Sequence, residues 1–187
     1  MAVLTPEVEA EILRKWEENP MMKPRLAKVV VNTCIGSDIE RLKKIAGVLE
    51  EITGQRASLR KAKKTIREFG IRKGEYIAAT ITLRKERALN FLKKALEAVN
   101  YRIKASSFDD FGNVCFGIKE HIHIPGTKYD PEIGMFGMDV CISLERPGYR
   151  VMRRKRAKSN IPRRHRISKT EAMVYFKKFF NIEIVEE

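Results

Sequence analysis

The 187-residue sequence lacks several features that would place it in other protein classes. It contains no apolar run close to the roughly 18 residues that a membrane-spanning helix needs. Its first 20 residues are acidic and lack the apolar stretch of a secretory signal. Cysteine is scarce: Cys34, Cys115 and Cys141 are odd in number and widely spaced. This pattern predicts small, reduced core residues of a cytosolic protein and excludes a disulfide framework.

Sequence motifs for catalysis are also missing. The pair Gly-Lys never occurs, so the chain has no phosphate-binding loop of the G-x-x-x-x-G-K-[ST] type. No grouping of Ser, His and Asp has the spacing of a nucleophile elbow. His121 and His123 have the spacing of metal ligands on a predicted strand, but no cysteine pair lies nearby to complete a zinc set. We therefore expect no enzyme, no cofactor and no metal, and interpret the two histidines as a polar strand end.

Positive charge is abundant instead. The chain has 38 Lys and Arg against 24 Asp and Glu, and its net charge of +14 favours an anionic partner such as nucleic acid over a membrane. Residues 54–74 carry eight Lys or Arg against the single acid Glu68, and residues 148–168 carry nine with no acid. We predict that the first segment is a basic loop between two strands. We predict that the second is an extended basic arm that becomes ordered on a polyanion.

Apolar periodicity predicts an α+β fold in one domain over residues 1–187. Helical patterns occupy residues 5–18, 86–99 and 169–180, and an apolar stripe from Ile39 to Ile52 predicts a further helix that Gly54 ends. Ser37 with Glu40 and Ser168 with Glu171 form capping-box patterns at the starts of two of these helices. The order β-α-β-β-α-β-β contains the split β-α-β pattern, an RRM-like topology. It predicts an antiparallel sheet of about five strands, with helices packed on one face and the other face open.

Polar side chains alternate with apolar ones along two of the predicted strands. Lys28 and Asn32 fall on the polar side of the first strand, and Thr82 and Arg84 on the polar side of the third. Because helices should cover only one sheet face, these side chains should line the open face. The face lacks the aromatic stripe that stacks single-stranded bases, so it suits the shallow minor groove of structured RNA.

Several motifs occur in the order typical of one protein family. They are NPM at 19–21, VVVNTCIG at 29–36, ITGQ at 52–55, AKKTIREFGIRKG at 62–74, TLR at 82–84, FDDFGNVCFGIKEHI at 108–122 and GMDV at 137–140. Together they resemble the universal large-subunit ribosomal protein five family, the 5S rRNA-binding ribosomal proteins. YDPEIGMFGMD, RPG and HRISKTEAM resemble the archaeal and eukaryotic branch more than the bacterial one. The resemblance covers about residues 19–187 and leaves out the acidic helix at 5–18.

The resemblance implies a structural constituent of the large ribosomal subunit, bound to the ribosome in the cytoplasm. Members hold 5S rRNA through the sheet and attach it in the central protuberance, among large-subunit rRNA and other ribosomal proteins. The family's binding trio falls on Asn32, Gln55 and Thr82. Gln55 is out of phase with its predicted strand, so it should lie at the strand entrance or at a bulge. With the neighbouring cations, the expected 5S rRNA site comprises Lys28, Asn32, Gln55, Arg56, Arg60, Lys61, Lys63, Thr82 and Arg84.

The resemblance implies further contacts outside that site. The family's loop between its second and third strands approaches the P-site tRNA, and here it maps to Arg67, Gly70, Arg72 and Lys73. Members also contact a small-subunit head protein across an intersubunit bridge, which we place on residues 128–136 or on the basic arm. Contacts of the arm with rRNA are expected from Arg150, Arg153, Arg154, Arg156, Arg163, Arg164 and Arg166.

Two other functions remain open at this point. A general, chaperone-like RNA-binding protein would use the same cations without choosing one RNA. An RNA-modifying enzyme that has borrowed the fold would need a metal set or a phosphate loop, and the sequence shows neither.

Overall fold

The computed structural model describes residues 4–185, which form two compact units. The unit that we call the hairpin unit comprises residues 28–100 and 116–141. The other, the arm unit, comprises the described parts of residues 1–27, 101–115 and 142–187. The prediction of one domain over the whole chain stays a prediction.

Apart from one short helix in the basic arm, the described helices occupy the segments where the apolar periodicity predicts them. They are α1 Pro6–Glu18, α2 Ile39–Thr53, α3 Lys85–Ala98, the short α4 Arg150–Arg153 and α5 Lys169–Phe180. No helix within residues 4–185 is both long enough and apolar enough to cross a membrane.

The described strands form a five-stranded sheet and a smaller pair. They are β1 Arg25–Cys34, β2 Ser58–Lys61, β3 Tyr76–Leu83, β4 Arg102–Lys104, β5 Asn113–Ile118, β6 Met138–Glu145 and β7 Glu183–Val185. The large sheet has the order β2-β3-β1-β6-β5, and β4 pairs with β7 in parallel. This antiparallel sheet with helices confirms the predicted fold class. One detail differs. In the simplest split β-α-β order, the strand that follows the second helix lies beside β1. Here β6 lies beside β1, and β5 lies at the sheet edge.

The core of the hairpin unit lies between its helices and one face of its strands. Leu42, Ile45 and Leu49 form the buried stripe of α2, which contacts both β3 and α3. Side chains on the opposite strand face, where Asn32 and Thr82 lie, are only partly buried. The predicted separation of an apolar and a polar strand face is therefore confirmed by the buried strand residues Val29, Val31, Ile81 and Leu83.

The arm unit holds the acidic N-terminal helix in place. Ile12 and Trp16 of α1 are 7% and 5% exposed, and α1 contacts α5. Helix α5 begins with the predicted capping box: the Ser168 hydroxyl accepts from the Glu171 N–H at 3.3 Å, and the Glu171 carboxylate accepts from the Ser168 N–H at 3.0 Å. Docking through Trp16 and the cap at Ser168 are both confirmed.

Two local predictions are wrong. Helix α2 is capped by Asp38, whose side chain accepts from the Arg41 N–H at 3.0 Å, and not by Ser37. A carboxylate serves as well as a hydroxyl at this position, so sequence spacing alone does not choose between the two. The cysteines are not all reduced core residues, because Cys34 is exposed and Cys115 and Cys141 are disulfide-bonded.

Candidate nucleic-acid interface

The polar sheet face of the hairpin unit brings Asn32, Gln55 and Thr82 together. In the antiparallel register of β1 and β3, Asn32 lies opposite Thr80, and Thr82 lies two pairs further along the ladder, opposite Val30, on the same face. The Thr80 hydroxyl donates to Asn32 Oδ1 at 2.9 Å, and Gln55 Nε2 donates to the backbone oxygen of Thr82 at 3.0 Å. Three side chains that are far apart in sequence thus form one polar, half-exposed surface.

The position of Gln55 confirms the prediction of a strand entrance. Helix α2 ends at Gly54, whose φ of 66° lies in the left-handed region that a glycine adopts without strain. Strand β2 begins only at Ser58, so Gln55 lies outside the strand, and the direction of its side chain does not have to alternate with those of β2. Its side chain can therefore turn toward Thr82.

Predicted cations surround this polar surface. A register shift between Arg60 and Lys61 interrupts the β2–β3 ladder, and such bulges redirect side chains. Lys61 Nζ lies 4.9 Å from the centre of the Tyr76 ring, a cation–π contact. Lys28 on β1 is half-buried. The exposed cations of the predicted site in this unit are Arg56, Arg60, Lys61, Lys63 and Arg84.

The predicted basic loop is a hydrogen-bonded hairpin over residues 62–75. Ile66 and Ile71 exchange backbone hydrogen bonds of 2.9 and 3.1 Å, and the Gly70 N–H donates to Arg67 O at 3.0 Å. Phe69, at the tip, is 69% exposed. Our sequence reasoning missed it, although its place among cations was a usable signal. The tip therefore presents an aromatic ring together with the predicted tRNA-proximal residues Arg67, Gly70, Arg72 and Lys73, all exposed.

The basic arm, residues 148–168, is more ordered than predicted. It contains α4 and a 3-10 turn at Arg163–His165, and Ile161 and Ile167 are 8% and 1% exposed. These two apolar side chains are buried on either side of the exposed cations, so the prediction of an extended arm is wrong for both flanks. Residues 152–160 between these flanks are exposed. All seven arginines expected to contact rRNA are exposed: Arg150, Arg153, Arg154, Arg156, Arg163, Arg164 and Arg166.

A buried arginine fixes the base of the arm. Arg146 is 3% exposed, forms an ion pair with Glu171 and donates from Nη1 to the backbone oxygen of Arg166 at 3.2 Å. The sequence did not indicate Arg146 as a special residue, because an arginine next to a basic segment has no local pattern that predicts burial. Its role is to anchor the arm, because charged side chains are stable in an interior only when paired.

The two histidines do not lie on one strand face, contrary to prediction. Strand β5 ends at Ile118, and residues 121–123 form a 3-10 turn. His121 is 1% exposed and stacks on Phe136 with ring centres 4.2 Å apart, whereas His123 is exposed. Burial lowers the pKa of His121, partly offset by backbone hydrogen bonds. Within residues 4–185, no group of three His, Cys, Asp or Glu is arranged to hold a metal.

The irregular segment at residues 128–136 is attached to α2. Arg41 donates from Nε to Ile133 O and from Nη2 to Met135 O, each at 3.0 Å. Lys44 and Glu132 form an exposed ion pair at 2.7 Å. The segment thus presents a fixed surface, on which Tyr129 is 55% exposed.

Comparison with known proteins agrees with this architecture. Residues 19–72 match the family described as Ribosomal protein L5, and residues 76–175 match the family described as the C-terminus of the same ribosomal proteins. The chain is 55% identical over 183 residues to the large ribosomal subunit protein uL5 of Aeropyrum pernix, covering 97% of this chain and 95% of the relative. It is 59% identical over 169 residues to the protein of that name in Sulfurisphaera tokodaii, covering 90% and 96%, and 46% identical over 175 residues to that of Methanococcus maripaludis, covering 92% and 97%.

The fold, the basic surface and these matches define a class: structural proteins of the ribosome, not enzymes. Within that class, the chain belongs to the ribosomal protein L5 family.

Proposed function

We propose that this protein binds 5S rRNA and attaches it in the central protuberance of the large subunit of cytoplasmic ribosomes. The observation that carries the proposal is the polar surface of Asn32, Gln55 and Thr82, held by hydrogen bonds of 2.9 and 3.0 Å. Amide and hydroxyl groups on an open sheet face can pair with 2′-hydroxyls and base edges in a shallow RNA minor groove. The surrounding cations neutralise phosphates and fix the register on the RNA.

The hairpin tip has a different partner in this proposal, the P-site tRNA. Its backbone hydrogen bonds hold Arg67 and Gly70 at the end of a rigid projection. A projection that is already ordered loses little entropy on binding, which suits a contact that is made and broken with each tRNA. The expected contacts come from Arg67, Gly70, Arg72 and Lys73.

The segment at residues 128–136 is our choice for the bridge to the small-subunit head protein. Its backbone is attached to Arg41 of α2, and it exposes Tyr129 and Met135, each 55% accessible. The arm cations then remain for large-subunit rRNA and its neighbours in the central protuberance.

Replacing Tyr129 by Ala should weaken subunit joining without changing the affinity for 5S rRNA.

The experiment that tests the function is recovery of the RNA that accompanies the protein. Protein purified from its own cells at low salt should carry 5S rRNA as the dominant species on sequencing. A general, chaperone-like RNA-binding protein would instead carry many RNAs in proportion to their abundance. It would also bind 5S rRNA and an unrelated duplex of equal length with equal affinity at matched salt.

A further inference from the structure

An exposed aromatic ring lies beside the basic arm. Phe111 is 58% exposed, and the guanidinium carbon of Arg166 lies 5.9 Å from the centre of its ring. Phe111 belongs to the arm unit and is not among the residues proposed to hold 5S rRNA in the hairpin unit. The proposed contacts of the hairpin unit therefore leave Phe111 without a role.

The loop that carries Phe111 is held by hydrogen bonds and by close packing on the arm. Asp109 Oδ1 accepts from the backbone N–H of Phe111 at 2.9 Å and from that of Asn113 at 2.6 Å. Between them, Gly112 has a φ of +76°, and a Cβ there would lie 2.6 Å from Cγ2 of the buried Ile167. Glycine thus lets the loop pack directly on the arm, and the ring is presented in a fixed place before any ligand arrives.

Space and charge beside the ring suit a planar, anionic ligand. Phe111 and Arg166 line two cavities, of about 330 and 490 Å³. The smaller one adds Asn160, whose side-chain amide offers both a donor and an acceptor, with Arg153 beside it. Each cavity is also lined by one acidic residue. In the smaller cavity Glu145 is paired with Arg153, and in the larger one Asp110 lies with Arg163 and Arg166.

We propose that Phe111 is a stacking site for an unpaired RNA base, placed in the smaller cavity, with Arg153 and Arg166 on the adjoining phosphates. Every base has a face that stacks on an aromatic ring, and guanidinium groups add cation–π contact and charge. The inference rests on the proposed function insofar as the ligand is RNA. It goes further, because the sheet face suits paired RNA whereas this site selects an unpaired nucleotide.

The test compares two RNAs on the full-length protein. The probes are a labelled oligouridine of about 15 nucleotides and an RNA duplex of the same length, at one salt concentration. Phe111→Ala should weaken binding of the single strand roughly tenfold and change binding of the duplex less than about twofold. The matched control is Phe179→Ala, since Phe179 is also exposed and has Lys23 Nζ 5.3 Å from its ring centre. That variant should bind both RNAs like the wild type.

A second variant provides a direct reading of stacking. Trp16 is the single native tryptophan and is 5% exposed, so Phe111→Trp adds a new, exposed indole to a constant background. Its fluorescence should be quenched by the oligouridine and unchanged by the duplex, while affinity is kept.

Either of two results overturns the stacking site: Phe111→Ala binds both RNAs like the wild type, or it loses affinity for both equally. An Asn32→Ala variant titrated with 5S rRNA separates this result from failure of the proposed function. If Asn32→Ala weakens 5S rRNA binding while Phe111→Ala changes neither probe, only the stacking site is wrong. If the wild type does not prefer 5S rRNA to the duplex, the proposed function fails, and the two-probe comparison still decides the role of Phe111.

Discussion

The two basic segments are both rich in Lys and Arg but are ordered by different means. The hairpin at residues 62–75 is held by backbone pairing, such as the mutual bonds of Ile66 and Ile71. The arm at residues 148–168 has little regular structure and is held by side chains, namely the buried Ile161 and Ile167 and the Arg146–Glu171 ion pair. Charge density alone therefore does not decide whether a basic segment is ordered. The few uncharged or paired residues within and beside it do.

The largest expected effect concerns the buried ion pair. Glu171→Gln leaves the charge of Arg146 buried without its partner, so the free energy of unfolding should fall by about 3–5 kcal/mol. Urea denaturation of the full-length protein measures this change. If the variant loses less than about 1 kcal/mol, Arg146 is not the anchor of the arm.

The matched control for that substitution is an exposed ion pair in the arm unit. Arg102 and Glu183 are 2.9 Å apart, with side chains 67% and 66% exposed. Because water screens such a pair, Glu183→Gln should cost less than about 1 kcal/mol.

The next largest effect tests the packing of the Phe111 loop on the arm. Gly112→Ala places a methyl group 2.6 Å from Ile167, whereas a Cβ at Gly126 meets no atom of the described residues within 4 Å. Both glycines have positive φ, +76° and +90°, so backbone strain is similar in the two variants. Gly112→Ala should therefore cost about 1–3 kcal/mol more than Gly126→Ala in thermal or urea unfolding. Equal costs would mean that the loop does not depend on this close approach.

A smaller effect is expected within the polar surface of the hairpin unit. Thr80→Val keeps the shape of the side chain but removes the hydroxyl that orients Asn32. Loss of one such bond should weaken 5S rRNA binding by about 0.5–1.5 kcal/mol, or roughly 2- to 10-fold. Thr5→Val, the same change at the start of α1 in the arm unit, should have no effect in the same filter-binding assay. An unchanged affinity for Thr80→Val would show that Asn32 does not need this partner.

The smallest effect compares the two basic segments directly. Lys63→Ala in the hairpin and Arg154→Ala in the arm should each lower the slope of log affinity against log salt by about 1, if each cation contacts a phosphate. Lys93→Ala, an exposed site on α3, should leave the slope unchanged. A change for Lys63 alone would restrict rRNA binding to the hairpin unit.

Alternation and spacing predicted most of the sheet and the helices. Side chains alternate between the two faces of a strand. This period of two predicted that Val29 and Val31 are buried and that Asn32 lies on the other, polar face. The contact of Gln55 with Thr82 could not be predicted in this way, since it depends on where α2 ends and β2 begins. Asn32, Gln55 and Thr82 were named as a set only through the family resemblance.

Features that depend on long-range packing were missed. Strand β6 lies beside β1, which is distant in the sequence. Arg146 is buried because it pairs with Glu171, which is also not a sequence neighbour. The turn at His121 was mistaken for a strand because the sequence His121-Ile122-His123 fits both structures. The backbone hydrogen bond from the Ile124 N–H to His121 O, 3.0 Å long, identifies it as a turn. Phe111 was missed because its neighbours in the sequence, unlike those in the fold, are not basic.

The most direct test of the central claim is a filter-binding titration of 5S rRNA with Asn32→Ala and Thr82→Ala, alongside an unrelated duplex of equal length. Each substitution removes a side chain from the polar surface but no charge. Each should therefore weaken 5S rRNA binding by about 1–3 kcal/mol, roughly 5- to 150-fold, and leave the affinity for the unrelated duplex unchanged. If both variants bind 5S rRNA like the wild type, the sheet face is not the site that holds it.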